Sequence, residues 1–161
     1  MGEFLVLEDS KGSANDLIEI KTGGNKNRKW TKKELTINIR NWMENKYFDE
    51  FREKKLDLAI VAYVNKYRMK NQDVDNIAKP ILDALQKDKN DPKKPYLFKD
   101  DSQIVRLIVY KKPKEDVIVK DHAKEWIYKT DSVMLSFREH NPKKQMILVD
   151  RTSRYQKEED F

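Results

Sequence analysis

Leu35, Ile39, Met43, Tyr47 and Phe51 are apolar at every fourth position, with Trp42 beside the stripe. That spacing draws one apolar face along a helix. Thr31 and Glu34 fit a capping box, in which each side chain satisfies a backbone donor of the other. Trp30 and Leu35 stand where a hydrophobic staple clamps the entry. The pattern predicts a helix over 31–51. Leu-Asp-Leu-Ala-Ile-Val-Ala-Tyr-Val at 56–64 is apolar and β-branched, which predicts a buried strand. Residues 77–87 read as a second helix, with Ile77, Ile81, Leu82 and Leu85 on one side. Pro80 is tolerated near a helix start, so that start is expected close behind it. This leaves Asp73 and Asp75 on the incoming extended segment and puts Lys79 in the first turn.

Shorter signals complete the outline. Residues 17–20 read as a short strand stopped by Gly23-Gly24, followed by the basic loop N-K-N-R-K-W. Residues 104–110 read as a strand, and 126–137 contain another, paired with it hairpin-fashion across the polar 111–125 connection. Residues 145–149 add a last short strand. Residues 1–16 form either a loosely attached arm around the patch 4–7 or an edge strand. Residues 87–95 are a charged, Pro-punctuated loop, and 141–161 a C-terminal extension. The expected architecture is one α+β domain over 1–161, a mixed sheet of four to five strands packed against two main helices.

Composition narrows the chemistry. The 161 residues carry a net charge of +6 and a pI near 9.3, a balance that favours a polyanionic partner. With no cysteine, disulfides and thiolate zinc sites are excluded. The only imidazoles, His122 and His140, sit in polar stretches and read as surface residues. A metal here is expected to be a hard cation held by oxygen, magnesium or alternatively manganese. No apolar run approaches a membrane span, and the first residues lack the pattern of a secretory signal. A cytoplasmic location is expected, with no membrane partner.

Against this basic background, acidic side chains gather in two places, Q-D-V-D-N-I-A-K at 72–79 and K-D-D-S-Q at 99–103. On an extended segment, Asp73 and Asp75 point to the same side and can reach one ion. Asp100 and Asp101 offer further ligands from another part of the chain. A divalent ion held this way lowers the pKa of a bound water and steadies a phosphate leaving oxygen. Lys79 is placed to offset charge on the phosphate. Asn27, Arg28, Lys29, Lys66, Arg68, Lys70, Lys93 and Lys94 are candidates for nucleic-acid backbone contacts. Each feature also has a plainer reading. Asp-x-Asp-Asn before a helix serves as an N-cap, Asp100-Asp101 as a turn, and Lys79 as a solvated lysine.

Taken together, D-V-D-N-I-A-K-P-I-L-D-A-L, then K-D-D-S-Q-I-V-R-L and a strand ending in Lys111-Lys112, closely resemble the RusA-type Holliday-junction resolvases. That family's pattern is Asp-x-Asp-Asn, a lysine four residues after the second Asp, Leu-Asp-Ala-Leu, a loop, and Asp-Asp-x-Gln before a strand. The match covers about a quarter of the chain. The resemblance implies a magnesium-dependent endonuclease that cuts four-way DNA junctions as a homodimer. Its catalytic aspartates fall on Asp73, Asp75 and Asp101 and its lysine on Lys79, with Asp100 auxiliary. Such proteins are often encoded by phages or prophages. Three departures stand out: Gln72 where the family often has arginine, a long lysine-rich 87–95 loop, and no motif over 31–51 or after His140. The alternatives are a magnesium nuclease for other branched DNA or RNA, and a non-catalytic basic nucleic-acid-binding module.

Overall fold

Nine consecutive buried residues make Leu56–Val64 (β3) the axis of the fold, because a strand buried on both faces needs neighbours on both edges and layers above and below. The computed structural model describes residues 5–10, 16–24, 26–44, 46, 48–116, 118–121, 124–127 and 130–150, with 116–127 described by backbone alone. Phe4, Tyr47, His122 and the 151–161 part of the expected extension lie outside the described residues.

The chain runs β1 (Leu5–Leu7), β2 (Asp16–Glu19), α1 (Lys32–Met43), β3, α2 (Lys66–Asn71), α3 (Val74–Leu85), β4 (Ile104–Pro113), β5 (Ile118–Asp121), β6 (Lys124–Ile127), β7 (Ser132–Glu139) and β8 (Leu148–Asp150). The main sheet has the order β2-β7-β3-β4. β4 is parallel to β3, and β7 is antiparallel to both β3 and β2. α1 and α3 cover one face, where Leu35, Ile39, Ile77 and Ile81 pack onto Leu58, Ile60 and Leu135. On the other face, β1 and β8 form a two-stranded layer that seats Val6 against Val61, Tyr63 and Met134. The four-stranded mixed sheet and two main helices agree with the expected α+β class. Among the described residues, no helix is long and apolar enough to cross a membrane.

The structure corrects several boundaries. The capping box is present, with Glu34 N donating to Thr31 Oγ1 and Thr31 N to Glu34 Oε1, both at 3.0 Å. The helix it starts ends at Met43, well short of 51. Phe51 keeps its place in the core from a short 3-10 turn, Asp49–Phe51. The second helix begins at Val74, so Pro80 lies within it. A proline here removes the bond to the carbonyl of Asn76, an exposed residue. The segments 104–110 and 126–137 do not pair as a hairpin: β3 lies between β4 and β7, and β5 and β6 pair antiparallel with each other. The patch at 5–7 is a strand rather than a loose arm. Val6 and Leu7 are fully buried, and Leu7 N donates to Ser136 Oγ at 2.8 Å.

Candidate active site

Where β3 ends, a series of polar ties sets the entry to α3. Asn65 caps α2, its side-chain oxygen accepting from Arg68 N at 2.9 Å. The α2 C-terminus is held from β4, as Lys111 Nζ donates to Met69 O at 2.7 Å, a cation placed where a helix end carries partial negative charge. The buried Gln72 grips the backbone of Trp30 at both ends, Trp30 N donating to its Oε1 at 2.6 Å and its Nε2 facing Trp30 O at 3.4 Å. Arg68 is buried, with Nη1 on Asp131 Oδ2 at 2.6 Å, Nε on Arg28 O at 2.9 Å, and its guanidinium over the Trp30 ring.

These ties deliver Asp73 as the N-cap of α3. Its backbone is extended, yet its carboxylate makes no capping hydrogen bond, and no described residue bonds to it. Asp75 follows in the first turn and accepts only from the next backbone amide, Asn76 N, at 3.1 Å. Both side chains are exposed at the positive end of the helix dipole. The expected geometry, two carboxylates on one side of an extended segment, is therefore replaced by a pair flanking a helix start. Lys79 lies one turn beyond Asp75, exposed, in a cleft with Lys29, Lys32 and Asn76. It belongs to the middle of the helix, not to its first turn.

Asp100 and Asp101 occupy the opposite end of the sheet. They precede Ile104, which is in register with Leu56 at the start of β3. The turn that carries them is fastened there by Gln103 Nε2, which donates to Arg52 O and Lys54 O, both at 2.9 Å. The helix route gives the same answer. α3 begins at Asp73, and its far end meets the strip before Asp100, with Leu97 N donating to Leu85 O at 2.8 Å and Lys87 N to Phe98 O at 2.9 Å. The 12 residues of α3 span roughly 18 Å at 1.5 Å per residue. Ligand oxygens of a magnesium ion each lie about 2.1 Å from it. The expected meeting of Asp73, Asp75 and Asp101 at one sheet edge is therefore not made within one chain. Among the described residues, no group of three or more His, Cys, Asp or Glu is placed to hold a metal ion.

The two members of the acidic pair also differ. Asp100 caps its own turn, Oδ2 accepting from Ser102 N at 3.2 Å and from the Ser102 hydroxyl. Those bonds hold its carboxyl below the usual range. Asp101 is exposed and has no such duty.

The basic candidates divide likewise. Asn27, Lys29, Lys66 and Lys70 are exposed around the Asp73–Asp75 end, and Lys93 and Lys94 around the Asp101 end. Arg28 is half-buried and grips Glu34 with both terminal nitrogens, at 2.7 and 2.5 Å. Arg68 is corrected from a DNA contact to an internal brace, because its guanidinium is enclosed and paired.

Sequence reasoning missed two further centres. Asp57, fully buried in β3, accepts from Arg106 at 2.9 and 2.6 Å and from Arg138 at 3.1 Å, and lies 2.8 Å from His140 Nδ1. Burial pushes its carboxyl up; bonds from Arg106, His140 and Arg138 outweigh that and leave it lowered. His140 is thus a partner of a buried carboxylate, not a surface histidine. Asp131 ties Arg68 to β7, with Lys114 Nζ 3.7 Å away. Neither carries a local signal, because the partners lie tens of residues apart.

An exposed carboxylate pair thus stands at a braced helix start, with a lysine one turn on and a basic surround. The model of the endodeoxyribonuclease RusA family matches residues 15–122, well over half of the chain, and the chain belongs to that family. It is a structure-specific DNA endonuclease acting on Holliday junctions. Comparison with curated proteins gives no match.

Proposed function

We propose that this protein resolves four-way DNA junctions by paired symmetric nicks, in a magnesium-dependent hydrolysis whose acidic site is shared between two copies of the chain. Asp73 and Asp75 of one copy and Asp101 of the other hold the cation, with manganese able to replace magnesium. Asp100, occupied by its own turn, orients Asp101. The bound cation supplies a water of lowered pKa and neutralises charge on the phosphate. Lys79 donates to a non-bridging oxygen of the scissile phosphate, where negative charge grows as the bond breaks. Lys29, Lys66 and Lys70 hold the backbone on one side of the cut, and Lys93 and Lys94 of the second copy hold it on the other.

The observation that carries this reading is the unused cap. An N-cap aspartate ordinarily accepts a backbone amide two or three residues on, yet the Asp73 carboxylate is turned out beside Asp75. A carboxylate that caps nothing, beside one that accepts only from the next amide, in a protein of net charge +6, favours a bound cation over a structural role. A third ligand has to come from elsewhere, and a homodimer supplies Asp101. A dimer also presents two matched sites, as a junction with two near-symmetric strands requires. The whole chain serves as one cytoplasmic DNA-processing unit in recombination and repair, with 1–16 and 141–161 as appended segments.

The test is a labelled synthetic four-way junction, incubated with and without magnesium, beside a fork and a linear duplex. Paired symmetric nicks confined to the junction and to magnesium-containing samples are expected. Asp75→Asn is expected to bind the junction and leave it uncut; an Asp75→Asn protein that cuts at the wild-type rate ends the reading.

A further inference from the structure

The lysine-rich 87–95 loop is built of turns that hold their own shape. Asp88 Oδ1 accepts from Asn90 N at 2.9 Å. Asp91 accepts from Lys94 N at its carbonyl, at 3.1 Å, and from Lys93 N at its carboxylate, at 3.3 Å. Pro92 and Pro95 fix the backbone on either side of the two lysines. The loop closes a cavity of about 190 Å³ in which Lys46, Arg52, Lys87, Lys93 and Lys94 surround Tyr96. Among the described residues, no carboxylate lines it. The Arg52 guanidinium lies 5.0 Å and the Lys87 ammonium 5.8 Å from the centroid of the nearly buried Tyr96 ring, so one aromatic holds two cations in place.

Three of the five cations have carboxylate partners outside the cavity. Lys46 pairs with Asp16, Arg52 with Asp49 and Lys94 with Asp88, at 3.1, 3.0 and 3.6 Å. Lys87 and Lys93 have none among the described residues. The end of α3 attracts cations, but Arg40 already serves it, with Nη2 3.5 Å from Asp83 O and 3.4 Å from Gln86 O. The cavity therefore gathers more positive charge than its own surroundings offset.

We infer that this cavity is a seat for one phosphate group of the DNA substrate. Size limits the ligand. The 190 Å³ is room for roughly six waters at about 30 Å³ each, and small-molecule sites begin at about 300 Å³. A phosphate fits there and a whole nucleotide does not. DNA is the favoured source because the cavity shares a frame with Asp101. Gln103, in the turn that carries Asp101, donates from Nε2 to Arg52 O at 2.9 Å, and Lys87 N donates to Phe98 O at 2.9 Å, two residues ahead of Asp100. A strand phosphate held in the seat thus fixes the strand against Asp101. Arg52 and Lys87 become positioning residues, and Lys93 becomes one wall of a shared pocket. The inference rests on the reading of Lys93 as a backbone contact for the source of the phosphate, and not on how the acidic site is assembled.

The test is binding of the whole protein to a four-way junction over a range of salt, without divalent cations. One phosphate counts once, however many cations surround it. Lys87→Ala and Lys93→Ala are each expected to weaken binding. The double variant is expected to reduce the slope of log affinity against log salt by about 0.9 in all. A reduction of about 1.8 means two separate backbone contacts, and an unchanged slope means no contact; either overturns the seat. Without DNA, both single variants are expected to match or exceed the thermal midpoint of wild type, since they relieve repulsion. A clear fall makes the lysines structural and also overturns the inference. Inorganic phosphate separates the sources. A saturable rise in the wild-type midpoint with phosphate, absent with chloride at equal ionic strength and absent from the double variant, would give the seat to a free anion if the slope is unchanged. None of these readouts involves cutting, so failure of the magnesium-dependent mechanism leaves the seat standing, and failure of the seat leaves that mechanism standing.

Discussion

Glu34→Gln keeps the shape of a carboxylate that joins the 26–29 loop to the start of α1 and removes its charge. The Glu34 carboxyl is drawn from an ordinary 4.5 down to about 2, chiefly by the Arg28 hydrogen bonds; partial burial opposes them, and the Thr31 backbone and hydroxyl add to them. At about 1.4 kcal/mol per pH unit, that fall sets a ceiling of about 3.5 kcal/mol. Arg28 keeps 31% of its side chain exposed and Glu34 17%, so water screens the pair. Together with a weakened cap, a loss of about 1–2 kcal/mol is the worked expectation at pH 7. The sign follows from the direction of the shift. A lowered carboxyl stabilises the fold fully above about 4.5, and that stabilisation drains away as pH falls towards about 2. Urea unfolding of both proteins is therefore expected to show a clear gap in midpoint at pH 7 that narrows by about half at pH 3. Equal midpoints at pH 7, or a gap unchanged at pH 3, would refute the reasoning.

Other outcomes separate structural from functional residues. Arg68→Ala is expected to cost about 3 kcal/mol, because it removes the closest cation from the buried Asp131 and leaves it a long bond from Asn65 N at 3.4 Å and Lys114 Nζ at 3.7 Å. Its denaturation midpoint should fall while the salt dependence of junction binding stays at the wild-type slope. Lys66→Ala and Lys70→Ala should each do the reverse, leaving stability within about 0.5 kcal/mol and reducing the slope of log affinity against log salt by about 0.9 for each phosphate no longer neutralised. Asp73→Asn is expected to abolish cutting with a stability change under about 0.5 kcal/mol, since that carboxylate caps nothing. A loss of the size expected for a cap, about 1 kcal/mol, would return Asp73 to a structural role.

Local chemistry was legible in the sequence wherever the partners were neighbours. Thr31 and Glu34 are three residues apart, and their capping box is present. β3 was legible because eight of its nine residues are apolar, the pattern of a strand buried on both faces. The helix ends were harder. Tyr47 and Phe51 continue the stripe of α1 in spacing, but the chain leaves the helix after Met43 and buries Phe51 from a different turn. Pro80 pointed to a helix start because the rule concerns a lost donor, and it cannot see that the residue losing its partner, Asn76, lies in an exposed turn of the helix. Strand neighbours were the least legible. Nothing in 104–110 or 126–137 says that β3 comes between them, and the Asp57–His140 pairing joins residues 83 apart. The same blindness applies to the acidic motifs. Their spacing along the chain announced a common site, and only the direction of α3 shows that one copy holds its two halves at opposite ends.

The most direct test of that division mixes two inactive proteins. Asp75→Asn and Asp101→Asn copies are combined, allowed to exchange subunits, and given a labelled four-way junction with magnesium. If each site draws Asp73 and Asp75 from one copy and Asp101 from the other, the mixed dimer carries one intact site and one doubly defective site. Single-strand nicking is then expected to return in the mixture and in neither protein alone. If exchange is verified and the mixture remains as inactive as its components, the acidic site is not shared between two copies.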